Sequence, residues 1–194
     1  CYNILESNIN SNNIQSYVGL GHTRWATHGG KTDNNSHPHI SNNKNIILVH
    51  NGIINNYETL KAMLLDNNYN FYSETDTEVI ANLIEYYILN MNYNIEDAIN
   101  ETINKLEGTW ALVIIYTKDL DTYYVTRHGS PLLLGTNDNY TIVTSEINGF
   151  IALINDYISI NNHDIIKINN NNYNSIKQNE YLIKHVPYDS LVDL

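Results

Sequence analysis

One change of hydrophobic period divides this chain and restricts it to a few fold classes. Between residues 57 and 106 apolar side chains recur at helical spacing, whereas from residue 110 onward they fall in short runs separated by Gly, Asn and Asp. Thr75 followed by Glu78 is a capping-box pattern, and Val79, Ile80, Leu83, Ile84, Tyr87 and Ile88 come next at helical spacing, so a helix should start near Asp76. A shorter helix is predicted over Tyr57 to Leu65, closed by Asp66-Asn67-Asn68, and a third over Ile95 to Leu106 with Gly108 as its stop. Ile46 to Ile54 reads as a buried strand broken at Asn51-Gly52, a turn-favouring pair. Further strands are predicted at Trp110 to Tyr116, Tyr123 to Thr126, Leu132 to Leu134, Tyr140 to Thr144, Tyr157 to Ile160 and Ile165 to Ile168. This second half reads as a strand meander, with a hairpin tip near Asn169. A helical block flanked by strands on both sides gives a layered α+β architecture, helices packed on antiparallel sheets, within one domain spanning 1–194.

Composition removes several function classes. Twenty-one acidic against ten basic residues leave a formal charge of -11, which argues against a nucleic-acid partner, since backbone binders carry basic patches. No apolar run reaches the length of about 18 residues that a membrane helix needs, so no membrane association is expected. No basic stretch followed by an apolar run marks a secretory signal, and a single cysteine cannot form an internal disulfide, so the cytoplasm is the expected setting. The abundant Asn residues, as at 169–172, carry no functional weight outside a motif.

Chemistry concentrates in four short segments. Gly21-His22-Thr23-Arg24-Trp25-Ala26-Thr27-His28-Gly29 combines a cation, an aromatic, two hydroxyls and two imidazoles. Arg24 could pair a carboxylate through two parallel hydrogen bonds, or make an ordinary surface ion pair. His37-Pro38-His39 adds two imidazoles, but no acidic residue or Cys stands at a ligand spacing, so structural histidines fit better than a metal site and no cofactor is expected. At Asn51-Gly52 a side-chain amide and a backbone N–H could converge on one oxygen, as in an oxyanion hole, although a tight turn explains the same pair. In Ser73-Glu74-Thr75-Asp76-Thr77-Glu78, Asp76 stands at a helix start, either as a cap or as acceptor for an ammonium group.

Taken in order, HTRWATHG at 22–29, HPH at 37–39, HNGIINN at 50–56 and SETDTEV at 73–79 resemble the motifs of the class II, N-terminal nucleophile glutamine amidotransferase domain of glucosamine-6-phosphate synthases. Arg127-His128-Gly129-Ser130-Pro131-Leu132 and Thr144-Ser145-Glu146 continue the resemblance, which covers most of residues 18–168. It implies an N-terminal nucleophile hydrolase-like αββα four-layer sandwich. It also implies an activity: an N-terminal cysteine attacks the amide of L-glutamine, its own α-amine acts as base, and a thioester is hydrolysed with release of ammonia. Carried over to this sequence, Arg24 would hold the glutamine α-carboxylate and Asp76 the α-ammonium. Trp25, Thr27 and His28 would line the pocket, and Asn51 and Gly52 would stabilise the oxyanion. Cys1 is the candidate nucleophile.

Two departures accompany the resemblance. The family opens Cys-Gly-Ile-x-Gly and has a helix and an Arg-Gly-Tyr-Asp-Ser segment before HTRWATHG, whereas this chain reads Cys1-Tyr2-Asn3-Ile4-Leu5. The expectation is that the N-terminal strand and helix are missing and that residues 1 to 5 correspond to the strand after that helix. The family's sugar-isomerase domains also fall outside the sequence, so fructose 6-phosphate, and a homodimer if one forms, would involve this chain only through them. The competing readings are a truncated, non-catalytic glutamine-binding or regulatory relative and, further off, a His-rich metal hydrolase.

Overall fold

The computed structural model describes residues 18–23, 29–150, 153–169 and 171–187. In chain order it contains strands β1 His39–Ile40 and β2 Ile46–Ile54, then helices α1 Tyr57–Asp66, α2 Asp76–Leu89 and α3 Ile95–Lys105. Strands β3 Gly108–Tyr116, β4 Asp119–His128, β5 Leu133–Thr136, β6 Thr141–Thr144, β7 Asp156–Ser159, β8 Ile165–Asn169, β9 Asn172–Ser175 and β10 Lys184–His185 follow. Short 3-10 turns occupy Asp33–Asn35 and Ile147–Phe150.

Helix α2 begins where the sequence predicts. Thr75 accepts the Glu78 N–H, and the Glu78 carboxylate reaches back past the cap to the N–H groups of Tyr72 and Ser73 at 2.9 and 2.7 Å. Helix α3 is capped by Asn94, which accepts from Asp97 N–H at 2.9 Å. It ends at Lys105 with Leu106 already extended, so Gly108 opens β3 rather than stopping the helix. None of the helices among the described residues is long and apolar enough to cross a membrane.

The strands after residue 108 do not make one meander. They divide between a six-stranded sheet, β1-β2-β3-β4-β8-β9, and a four-stranded sheet, β10-β7-β5-β6. Pairing is antiparallel throughout. The transfer occurs at Gly129-Ser130-Pro131, where Pro131 has no N–H to continue a ladder and the chain crosses to the second sheet. The hairpin near Asn169 is present, with Ile168 paired to Tyr173.

Strand alternation separates two cores. Leu48, Ile54, Leu112, Ile114 and Tyr124 project from one face of the larger sheet onto Val79, Ile80, Leu83, Ile84, Ile99 and Ile103 of the helices. Ala111, Val125, Ile166 and Ile168 project from the other face onto Leu134 and Ile158 of the smaller sheet. One helical layer and two stacked sheets are therefore built by the described residues, an α+β fold. The predicted loss of an N-terminal strand and helix concerns residues outside them.

Candidate functional site

Strand β2 is the spine of the site. It does not break at Asn51-Gly52, as its sequence suggests, but pairs with β3 without interruption from Ile46 opposite Tyr116 to Ile54 opposite Gly108. Gly52 has φ of +142°, and a Cβ there would lie 2.1 Å from the Thr109 carbonyl oxygen, so the glycine serves close strand contact rather than a turn. The turn propensity of Asn-Gly is overridden because β3 continues the ladder past it.

Alternation along β2 sends His50 toward the helices and Asn51 toward the second sheet, opposite Ala111 of the inter-sheet core. The backbone N–H groups alternate as well. Those of Ile53 and Asn55 turn to Thr109 and Glu107 on the β3 side, while those of His50 and Ile54 turn the other way, to His37 Nδ1 at 3.2 Å and Asp76 Oδ2 at 2.8 Å. The Gly52 N–H therefore falls on this second edge, between two donors that are already engaged.

Asp76 is buried at the first position of α2, where the helix dipole favours a carboxylate. Besides Ile54, among the described residues it receives only a long contact, 3.4 Å, from the Thr77 hydroxyl. His50 bridges the same two elements, with Nδ1 3.1 Å from the Thr77 hydroxyl and Nε2 3.4 Å from the Thr109 carbonyl. Burial pushes the His50 imidazole below its ordinary pKa, and the neighbouring Asp76 carboxylate pulls the other way.

Three more histidines line this edge. His22 stacks on His37 with ring centroids 4.0 Å apart and planes 13° from parallel, and its Nε2 lies 2.7 Å from Asn51 Oδ1. His37 meets His39 edge-on at 4.9 Å, and His39 Nε2 is 3.0 Å from the Thr75 hydroxyl. Among the described residues, no three His, Cys, Asp or Glu side chains are grouped to hold a metal ion.

The chain after the first motif is clasped to the strand-to-helix corner. Glu74 Oε2 accepts from Gly30 N–H and from Asn35 Nδ2, both at 3.0 Å, and Asn35 Oδ1 accepts the Glu74 N–H at 2.9 Å. Sequence reasoning gave neither residue a role. Asn35 belongs to no motif, and Glu74, although within SETDTEV, has partners 39 and 44 positions away that no local pattern reveals.

Of the residues singled out from the sequence, the structure brings Asn51, Gly52 and Asp76 to one edge of one strand. Cys1, Arg24, Trp25, Thr27 and His28 lie outside the described residues. A separate cavity of about 430 Å³ opens between the sheets, lined by Val49, Val113, Tyr123, Tyr140 and Val143 among others. Neither Asn51 nor Asp76 lines it, so it is distinct from the edge just described.

A family profile described as a glutamine amidotransferase domain matches residues 22–152. The chain is 40% identical over 174 residues to glutamine–fructose-6-phosphate aminotransferase (isomerizing) of Staphylococcus aureus, covering 90% of this chain and 27% of that protein. It is 39% identical over 163 residues to the enzyme of the same name from Caldanaerobacter subterraneus, covering 84% of this chain and 26% of the relative. The chain thus spans about a quarter of the length of these relatives. Among solved structures, glutamine phosphoribosylpyrophosphate amidotransferase from B. subtilis superposes with a TM-score of 0.66 at 26% identity, over 79% of this chain and 33% of that one. A glutamine aminotransferase class-II domain protein from Silicibacter pomeroyi matches with a TM-score of 0.53 at 17% identity, over 72% and 69% of the two chains, a likeness of fold alone.

Proposed function

Because this chain belongs to the glutamine amidotransferase domain family, we propose that it hydrolyses the side-chain amide of L-glutamine and that the ammonia passes, in a longer protein, to fructose 6-phosphate. Residues 1–194 form one such domain in this reading, and the sugar-isomerase part, with any dimer contact, lies beyond it. The product, glucosamine 6-phosphate, feeds amino-sugar synthesis toward UDP-N-acetylglucosamine in the cytoplasm.

The roles follow from the chemistry of each group. Arg24 pairs with the α-carboxylate through parallel N–H donors, Asp76 accepts from the α-ammonium, and Trp25, Thr27 and His28 enclose the side chain. A cysteine thiol loses its proton to its own α-amine and attacks the amide carbon. Cys1, the one cysteine in the sequence, takes this place only if residues 1 to 5 are the family's first strand and not, as the sequence reading expects, the strand after its first helix. The electron pair of the carbonyl moves onto oxygen, where Asn51 Nδ2 and the Gly52 N–H donate to it. Collapse of this intermediate expels ammonia with a proton returned by the amine, and water then cleaves the thioester to glutamate.

The observation that carries this reading is the position of the Gly52 N–H, between the His50 and Ile54 donors on the β2 edge that also holds Asp76. One rigid strand thereby ties an oxyanion donor to an ammonium acceptor. The experiment incubates the complete gene product with L-glutamine and measures glutamate and ammonia. Equimolar release of the two is expected, and no release would end the reading.

A further inference from the structure

An amide that serves an oxyanion hole must present its NH2 and not its oxygen, and nothing in the Asn51 side chain alone enforces that choice. His22 can. Its Nε2 is 2.7 Å from Asn51 Oδ1, and its ring is held in place by the 4.0 Å stack on His37. His37 in turn accepts the N–H of His50, the residue next to Asn51. The two rings are thus fixed to the strand whose side chain they contact.

The proton on His22 decides the orientation. His22 Nδ1 is buried and, among the described residues, has no hydrogen-bond partner. A buried N–H without an acceptor is rarer and more costly than a bare acceptor, so the proton belongs on Nε2, where it can be donated to Asn51 Oδ1. With the proton on Nδ1, two lone pairs would face each other across 2.7 Å, the amide would rotate, and its oxygen would point at the developing oxyanion.

We propose that His22 is a positioning residue that, through an Nε2–H bond to Asn51 Oδ1, locks the Asn51 amide with its NH2 toward the reacting carbonyl. This rests on the glutaminase reading above. It gives a place in the reaction to the first His of HTRWATHG, a residue left with only a structural reading by the sequence.

Two measurements test it. The first is the imidazole 15N spectrum of the His-labelled wild-type protein, with the His22 signal assigned by its loss in His22→Gln. The Nε2–H tautomer is expected, and the Nδ1–H tautomer would overturn the proposal whether or not the protein releases ammonia. The second is steady-state glutaminase kinetics. His22→Ala should lower kcat roughly tenfold to a hundredfold with KM nearly unchanged, because an oxyanion donor acts in the transition state. His22→Gln, whose amide N–H2 replaces Nε2–H, should recover most of the loss, and His22→Ala should add nothing in an Asn51→Ala background. Additive losses, or an effect on KM alone, would remove His22 from this role even with wild-type glutaminase activity intact. A wild-type protein without that activity would instead defeat the functional reading and leave the tautomer to decide the orientation.

Discussion

At the C-terminal half of α2, Glu85 is wholly buried and its two oxygens receive five donors: the Ser41 hydroxyl and both the backbone and side-chain N–H groups of Asn43 and Asn45. At the N-terminal end of the same helix, Asp76 is 4% exposed and receives one strong donor, from Ile54, and one long contact from Thr77. The helix dipole disfavours the Glu85 carboxylate toward the C-terminus and favours the Asp76 carboxylate at the N-terminus. The disfavoured carboxylate is saturated and the favoured one is not. Glu85 therefore spends its hydrogen-bonding capacity on holding the turn between β1 and β2, whereas Asp76 retains capacity for a cation delivered from outside the fold. Glu78, between them, resembles Glu85, since its carboxylate is filled by Tyr72 N–H, Ser73 N–H and the Ser73 hydroxyl.

The largest expected effect separates binding from stability at Asp76. In Asp76→Asn the remaining side-chain oxygen can still accept from Ile54, so unfolding free energy should change by less than about 1 kcal/mol. Glutamine affinity, measured by calorimetry, should fall by about 2 to 5 kcal/mol, the usual cost of truncating one partner of a buried charge pair. Unchanged affinity would place the ammonium elsewhere.

Glu85 should behave in the opposite way. Removing its carboxylate leaves the buried Ser41 hydroxyl and the buried N–H groups of Asn45 without an acceptor, and Glu85→Ala should lose about 3 kcal/mol in urea unfolding. Glutamine affinity at temperatures where the variant is folded should stay at the wild-type level. A large loss of affinity with little loss of stability would erase the distinction between the two helix ends.

The smallest effect is a pH dependence. Because burial holds the His50 pKa below its ordinary value, the unfolded chain binds the proton first as pH falls. The stability contributed by neutral His50 is thus complete above the unfolded pKa of about 6.5 and is lost as pH drops below it toward the folded pKa, by at most about 1.4 kcal/mol per pH unit. Asp76 counteracts the shift, so Asp76→Asn should extend that window to lower pH, and His50→Gln should remove this part of the slope. Urea midpoints across this range in the three proteins would check both statements.

How far the sequence revealed these features depends on how local their causes are. Helix α2 was legible because its cap and its apolar spacing lie within fifteen residues of each other. Asp76 was legible as a helix start for the same reason, while the binding role proposed for it came only from the motif around it. The continuation of β2 through Gly52 was not legible, because the Asn-Gly pair signals a turn locally while the β3 ladder that overrides it is about sixty residues away. The division of the later strands between two sheets was hidden likewise, since propensity marks a strand and not its partner. Glu85 looked like one more polar position on a helix, its role depending on a turn forty residues earlier.

At the heart of the proposed function is an oxyanion, formed from glutamine, that the β2 edge stabilises. Its most direct test is steady-state ammonia release from L-glutamine by the complete gene product and its Asn51→Ala variant. A fall in kcat of roughly a hundredfold to a thousandfold with little change in KM is expected, in a variant that unfolds near the wild-type midpoint. An unchanged kcat in Asn51→Ala, with the wild-type protein active, would contradict it.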